Sequence, residues 1–197
     1  ATVMTLNRNV FPKRAFPVVS LALLAFLTVG STAQAQTHVE AQPLALAFRG
    51  MSLGVLHQTG HLKFGGGGYF FTFPDFFVNQ SAGNKDEGWN VKILPAFWLE
   101  ANYMFRTDGS GVGLGANVVY SNFEITNDIE QGKARYQALV LIPKVSYTWL
   151  FFEHLVVSPG LGVEFHAKVS GDTTVGGSDF EPLKIQPLPI LSLGYRF

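Results

Sequence analysis

At 197 residues the chain has the length of one domain, and its 14 basic side chains balance its 14 acidic ones. No basic stripe offers itself to a nucleic acid, and the absence of cysteine excludes disulfide staples and anchoring through a lipidated cysteine. Abundant glycine (21) and phenylalanine (18) instead point to an exported β protein or a membrane barrel, once the first segment is read.

That segment has the form of a secretory signal. Lys13 and Arg14 precede an apolar stretch from Ala15 to Val29, and small residues then lead to Ala33-Gln34-Ala35. A basic region, an apolar region and an A-x-A site predict cleavage after Ala35, with Ala33 and Ala35 as the recognition residues. The apolar region is shorter than the ~20 residues a spanning helix needs, and Pro17 interrupts it. Residues 1–3, before Met4, read as an upstream extension. The expected division is a signal over 1–35 and a barrel over 36–197. Cleavage removes Arg8, Lys13 and Arg14 but no acidic residue, so the remainder is net acidic. Beyond the leader no apolar run approaches the ~18 residues of a spanning helix.

Alternation with period 2 dominates the rest. A strand over Val39–Ala47 turns near Phe48-Arg49-Gly50, and Met51–His57 starts the return. After a short turn at Gln58–Gly60 comes Gly65-Gly66-Gly67-Gly68. No Lys-Ser/Thr and no helical pattern follow it, so a tightly curved strand is expected rather than a phosphate cradle. A long loop over Pro74–Asn90 leads to Lys92–Arg106, whose odd positions are Ile93, Pro95, Phe97, Leu99, Ala101, Tyr103 and Phe105. Thr107–Ser110 is a turn cluster. Gly111–Phe123 sets Val112, Leu114, Ala116, Val118 and Tyr120 opposite glycine, Asn117 and Ser121. A longer loop over Thr126–Ala134 precedes Arg135–Trp149, and a short turn at Phe152–His154 precedes Leu155–Lys168. Ser170–Leu183 is the last long loop. In Ile185–Phe197 every odd position is apolar.

Soluble sandwiches average five or six residues per strand and turn their polar face outward. These segments run to a dozen or more residues with a charge-free face, and aromatics gather at their ends: Tyr103, Phe105, Trp149, Phe151, Tyr195, Phe197. The expectation is an all-β fold: a transmembrane, antiparallel, up-and-down barrel of about eight strands in the outer membrane, with lipid and lipopolysaccharide as neighbours. Short turns fall on the periplasmic side and long loops outside. Pro95, Pro143, Pro159, Pro187 and Pro189 lie within strands on the lipid face, where bulges or strand ends are expected.

On the opposite parity Lys92, Glu100, Asn102, Arg106, Lys144, Glu164, His166, Lys168 and Arg196 are expected to line the lumen. So small a barrel has room for little beyond its own side chains, so these charges should pair into a packed, non-conducting polar core. No H-E-x-x-H or G-x-S-x-G occurs, and no cofactor is implied. His57 and His61 flank a turn rather than share a helix face. Glu164 and His166 share a face, with Ser158 and Ser170 on their parity, which makes an acyl-transfer site a minor alternative.

The closing Gly194-Tyr195-Arg196-Phe197 resembles the last strand of small outer-membrane barrels of the OmpX/Ail and OmpA-like groups. The resemblance implies that Tyr195 and Phe197 serve as a signal to the barrel-assembly machinery. Gln42–Leu46, Met51–Val55 and Ser158–Glu164 look more like the small barrels of Bacteroidetes-type bacteria. Barrel lipid-A deacylases are similar in size, but their His-x-Ser is absent: Ala167-Lys168 follows His166, and Leu155-Val156 follows His154. The reading is a non-enzymatic, porin-like Gram-negative cell-surface barrel acting structurally or through loops 74–90 and 170–183. Its alternatives are a lipid-A-modifying enzyme or a carrier of a small hydrophobic ligand.

Overall fold

A computed structural model describes residues 35–197. The expected leader over 1–34, including Ala33, lies outside the described residues, and Ala35 is exposed at their start. Eight antiparallel strands close into a barrel: β1 (Gln36–Ala41), β2 (Met51–Thr59), β3 (Leu62–Thr72), β4 (Trp89–Met104), β5 (Gly111–Asn127), β6 (Gly132–Phe151), β7 (Leu155–Gly171) and β10 (Ile185–Arg196). Each neighbours the next in sequence, and β10 closes on β1. The two-residue strands β8 (Thr174–Val175) and β9 (Ser178–Asp179) form a small ribbon in the last long connection. Short helices α1 (Pro43–Ala47) and α2 (Asp75–Val78) stand in the first two connections at the same end.

The N-terminal hairpin differs from the expected one. β1 stops at Ala41, and residues 43–47, expected to continue the strand, form α1. Proline at the first helical position has no N–H to lose and is pre-set for a helix, and Ala and Leu sustain the turn. The expected loop over Thr126–Ala134 is mostly strand, because β5 and β6 pair without interruption from Gly111↔Thr148 to Asn127↔Gly132. Gly65–Gly68 lie in β3. A Cβ on Gly67 would come within 2.6 Å of the Trp98 ring and one on Gly54 within 2.3 Å, so bare backbone makes room for that indole inside the wall.

The five strand prolines behave in two ways. Pro95 sits in a β-bulge of β4: Ile93 pairs with Phe123 but Phe97 with Tyr120, so β4 holds one extra residue. The other four keep register, where bulges or strand ends were expected. Pro143 and Pro159 fall where the β6–β7 pairing skips Ile142–Pro143 and Tyr147–Thr148 without a shift.

Pro187 and Pro189 lie on the half of β10 above its four pairs with β1, His38↔Arg196 to Ala41↔Leu193. In β10 the Arg196 N–H reaches toward β7 (His154 O, 2.8 Å) and the Phe197 N–H toward β1 (Thr37 O, 2.9 Å). Odd-numbered donors therefore face the β1 side, and the two prolines remove donors from the stretch that has no strand beside it. α1 packs against β10, β2 and β3 there.

The outer surface carries an apolar belt. Leu53, Phe97, Leu99, Tyr103, Leu114, Tyr120, Leu139, Leu141, Tyr147, Trp149, Leu161 and Leu193 are all exposed. Along β6 the belt runs from Leu139 to Phe151, thirteen residues, or roughly 30 Å for a strand tilted by ~40°. A surface this apolar is covered by the hydrocarbon of a membrane.

The belt ends sharply toward the long loops. Above Leu139 the outward positions of β6 are Gln137, Arg135 and Lys133, and above Tyr120 those of β5 are Asn122, Glu124 and Thr126. The inward face changes in the opposite sense. Near the loops it is Phe123, Ile125, Tyr136, Ala138, Val140 and Ile142, all buried; nearer the turns it is Lys144, Ser146 and Thr148. The wall is inside-out within the membrane and has an ordinary apolar core where it emerges.

Candidate functional site

Two ion pairs organise the polar half of the interior. Glu40 of β1 meets Lys63 of β3, Nζ to Oε1 at 2.5 Å, and Glu100 of β4 meets Lys144 of β6 at 2.8 Å. All four side chains are at most 9% exposed. Pairing is what lets them stay, because a lone charge buried there costs several kcal/mol. Asn102 donates to Glu100 at 2.6 Å, and Asn117, its amide nitrogen turned toward Glu100 Oε2, stands at 3.2 Å. Thr148 and Ser158 share a hydrogen bond of 2.9 Å. His38, wholly buried, places Nδ1 3.7 Å from Glu40. The cavity left among Glu40, Lys63, Glu100 and Lys144 is about 10 Å³, the room of one water.

A second cluster lies higher. Glu164 and His166, adjacent inward positions of β7, approach to 3.1 Å, and Gln186 of β10 donates to the same carboxylate oxygen. Above them an aromatic core of Phe73, Phe77, Phe123, Tyr136 and Phe180 surrounds a cavity of about 40 Å³. Phe123 and Tyr136 stack with centroids 4.6 Å apart.

The connections over 73–88 and 172–184 meet above this core. Asn84 Nδ2 donates to the Glu181 carbonyl (2.8 Å), the Glu181 N–H donates to Asn84 Oδ1 (2.9 Å), and Ser81 donates to the Glu181 carboxylate. Val78 and Phe180 are buried beneath, so the two segments form one cap.

Of the residues expected in the lumen, Glu100, Asn102, Lys144, Glu164 and His166 point inward. Lys92 does not. The extra residue at Pro95 reverses the parity of the first part of β4, so Trp89, Val91 and Ile93 face in and Lys92 faces out. Arg106 belongs to the turn after β4, exposed and bonded to Asp108 at 2.7 Å. Lys168 is exposed at the rim, 3.5 Å from Thr173. Arg196 reaches the turn-side mouth, where it donates to Glu153 O, Gln36 Oε1 and Asp108 O. Tyr195 and Phe197 are exposed on the belt's lower edge, with ring centroids 5.0 Å apart.

Sequence reading missed His38, Glu40 and Lys63. Their signal was present: His38 and Glu40 share one parity of β1, and Lys63 interrupts Leu62 and Phe64. A strand begun at Val39 and a turn placed beside Lys63 hid it.

The hydroxyls that share a parity with Glu164 and His166 are engaged elsewhere. Ser158 bonds Thr148, and Ser170 donates to Gln137 on the outer face at 2.6 Å. His57 and His61 also part: His57 Nδ1 lies 3.5 Å from Thr37, and His61 Nδ1 lies 2.8 Å from the Met104 carbonyl. His61 stacks on Tyr103 (5.3 Å) just as His154 stacks on Tyr195 (5.3 Å) while bonding the Arg196 carbonyl at 3.0 Å. Two periplasm-type turns thus carry one repeated His–Tyr clasp.

No protein-family model and no curated protein matches the chain. Solved structures similar to it include two barrels. One is the N-terminal β-barrel domain of Pseudomonas aeruginosa OprF, 14% identical, covering 83% of this chain and 96% of that one, with a TM-score of 0.43. The other is a major outer membrane protein from Thermus thermophilus, 16% identical, covering 83% and 99%, with a TM-score of 0.47.

Proposed function

We propose that the protein is an integral outer-membrane barrel that neither conducts nor catalyses, and that it presents a rigid, capped surface to the cell exterior. The observation that carries this reading is the filled interior. Ion pairs close the lower half, with room for about one water, and aromatic rings close the upper half. An outer membrane is supported by a closed barrel with short turns at one end and its three longest connections at the other. In that orientation the cap of residues 73–88 and 172–184 faces outward, and Phe76, Asp86 and Asp179 are its exposed chemistry.

The carrier alternative needs a void of some 300 Å³ or more, and the cavity under the cap is about 40 Å³. Among the described residues no hydroxyl is bonded to His166, whose Nε2 meets Glu164 instead. Planar-bilayer recording tests the proposal: purified barrel should leave the membrane at baseline conductance, and stable unitary steps would overturn it.

A further inference from the structure

The polarity reversal of the wall creates a built groove. It crosses the outer face of β4–β7 and measures about 460 Å³, lined by Leu94, Pro95, Asn122, Arg135, Gln137 and Ser170. Its polar floor is fixed: Asn122 donates to the Pro95 carbonyl at 3.2 Å, which the bulge turns outward, and Ser170 donates to Gln137.

What lies on either side gives the groove its meaning. The row below is Phe97–Tyr120–Leu139, paired across three strands, and each ring or side chain is at least 40% exposed. The row above is Lys92–Glu124–Arg135, with Lys133 one row higher. Arg135 uses Nε (2.8 Å) and Nη2 to hold Glu124, which fixes its guanidinium and leaves Nη1 available. Lys92 and Lys133 form no salt bridge among the described residues. Asp172, whose N–H donates to the Arg135 carbonyl (2.9 Å), ends that row, so three cations against the two carboxylates Glu124 and Asp172 leave a net positive crown above a hydrocarbon-facing lip.

We propose that this groove binds the phosphate-bearing headgroup of an anionic membrane lipid. Its acyl chains lie along Phe97, Tyr120 and Leu139, its polar groups fill the space at Asn122, Gln137 and Ser170, and its phosphate meets Lys92, Lys133 and Arg135. The chemistry is matched at three depths at once: apolar, hydrogen-bonding and cationic. A free phosphate could use only the last of these.

The test uses the full barrel in phosphatidylcholine nanodiscs doped with either phosphatidylglycerol or lipid A, with co-purified lipid counted by native mass spectrometry after detergent transfer. Wild type should retain the anionic lipid over phosphatidylcholine. Lys92→Gln/Lys133→Gln/Arg135→Gln, all on exposed positions, should lower that retention roughly tenfold while the heat-modifiable gel shift of the folded barrel is kept.

Asn122→Trp, which fills the groove without touching a charge, should lower it as well. Retention unchanged in either variant would overturn the site. So would displacement of the lipid by inorganic phosphate, which would make it a simple anion patch.

Discussion

At the scale of single residues, the interior rests on two charges cancelling two others. Lys144→Met strands Glu100 in a space with room for about one water, at an expected cost of about 3–5 kcal/mol. Adding Glu100→Leu should recover most of that loss, since the pair itself contributes little beyond what a packed apolar pair would. Urea unfolding in lipid vesicles, followed by tryptophan fluorescence, measures both. A double variant no better than the single one would mean that Lys144 matters through contacts other than Glu100.

Residue-scale features were also where the sequence spoke least clearly. The parity of Glu100, Asn102, Lys144, Glu164 and His166 could be read because their strands hold one register around them. Lys92 could not be placed, because a single inserted residue at Pro95 turns its side chain through the wall. That bulge is a property of the pairing with β5, not of the Lys92 neighbourhood.

At the scale of elements, turns and strand edges carry the next tests. The Asp108 carboxylate accepts from the Ser110 N–H (2.9 Å), the Ser110 hydroxyl (2.8 Å) and Arg106 (2.7 Å). The Ser110 backbone bond leads these in holding its pKa down, at about 2 against the ordinary 3.8. A depressed carboxyl stabilises the turn above its ordinary range and loses that contribution as pH falls through about 2. The Ser110 amide should therefore stay protected from hydrogen exchange down to ordinary carboxylate pH and lose protection progressively between there and about pH 2. In Asp108→Asn the protection should be weaker and independent of pH; an unchanged profile would refute the assignment.

The prolines of β10 belong to the same scale. Pro187→Val with Pro189→Val restores two donors to a seam with no strand beside it, within the apolar belt. Unmet N–H groups there should lower stability by about 1–3 kcal/mol in the same urea assay. An unchanged midpoint would show that α1 accepts them. In sequence these prolines signalled an irregularity without saying which kind. Whether a missing donor makes a bulge, a skipped pair or a quiet edge depends on which neighbour it faces. For the same reason α1 escaped notice: five residues of Pro, Leu and Ala continue an apolar strand as plausibly as they start a helix.

At the scale of the whole molecule, the two long connections behave as one lid. Asn84→Ala removes both halves of the reciprocal bond with Glu181, worth about 1–3 kcal/mol to the cap. Limited proteolysis should then cut within 73–88 or 172–184 severalfold faster, with the barrel still migrating as folded on gels. Equal cutting would mean that the Ser81–Glu181 bond and the buried Phe180 and Val78 hold the lid without Asn84.

The barrel class and most of the loop-length asymmetry were legible from alternation, because a dozen residues of one parity leave few other folds open; the eighth strand followed from the even count such barrels keep, not from the pattern itself. The apolar upper interior was not. Val119, Phe123 and Ile125 differ from their polar neighbours by depth in the membrane rather than by position in the repeat.

The crossover in wall polarity also bears on how the chain enters its membrane. Lys92, Glu124, Lys133 and Arg135 must all cross the hydrocarbon on the outer face of their strands, at up to ~2–4 kcal/mol for each basic group at the midplane. Such strands do not thread through lipid one at a time. They travel with the outer face shielded, and once the collar has emerged the same barrier resists their return. The collar is then a depth stop: it holds the barrel at one height after insertion.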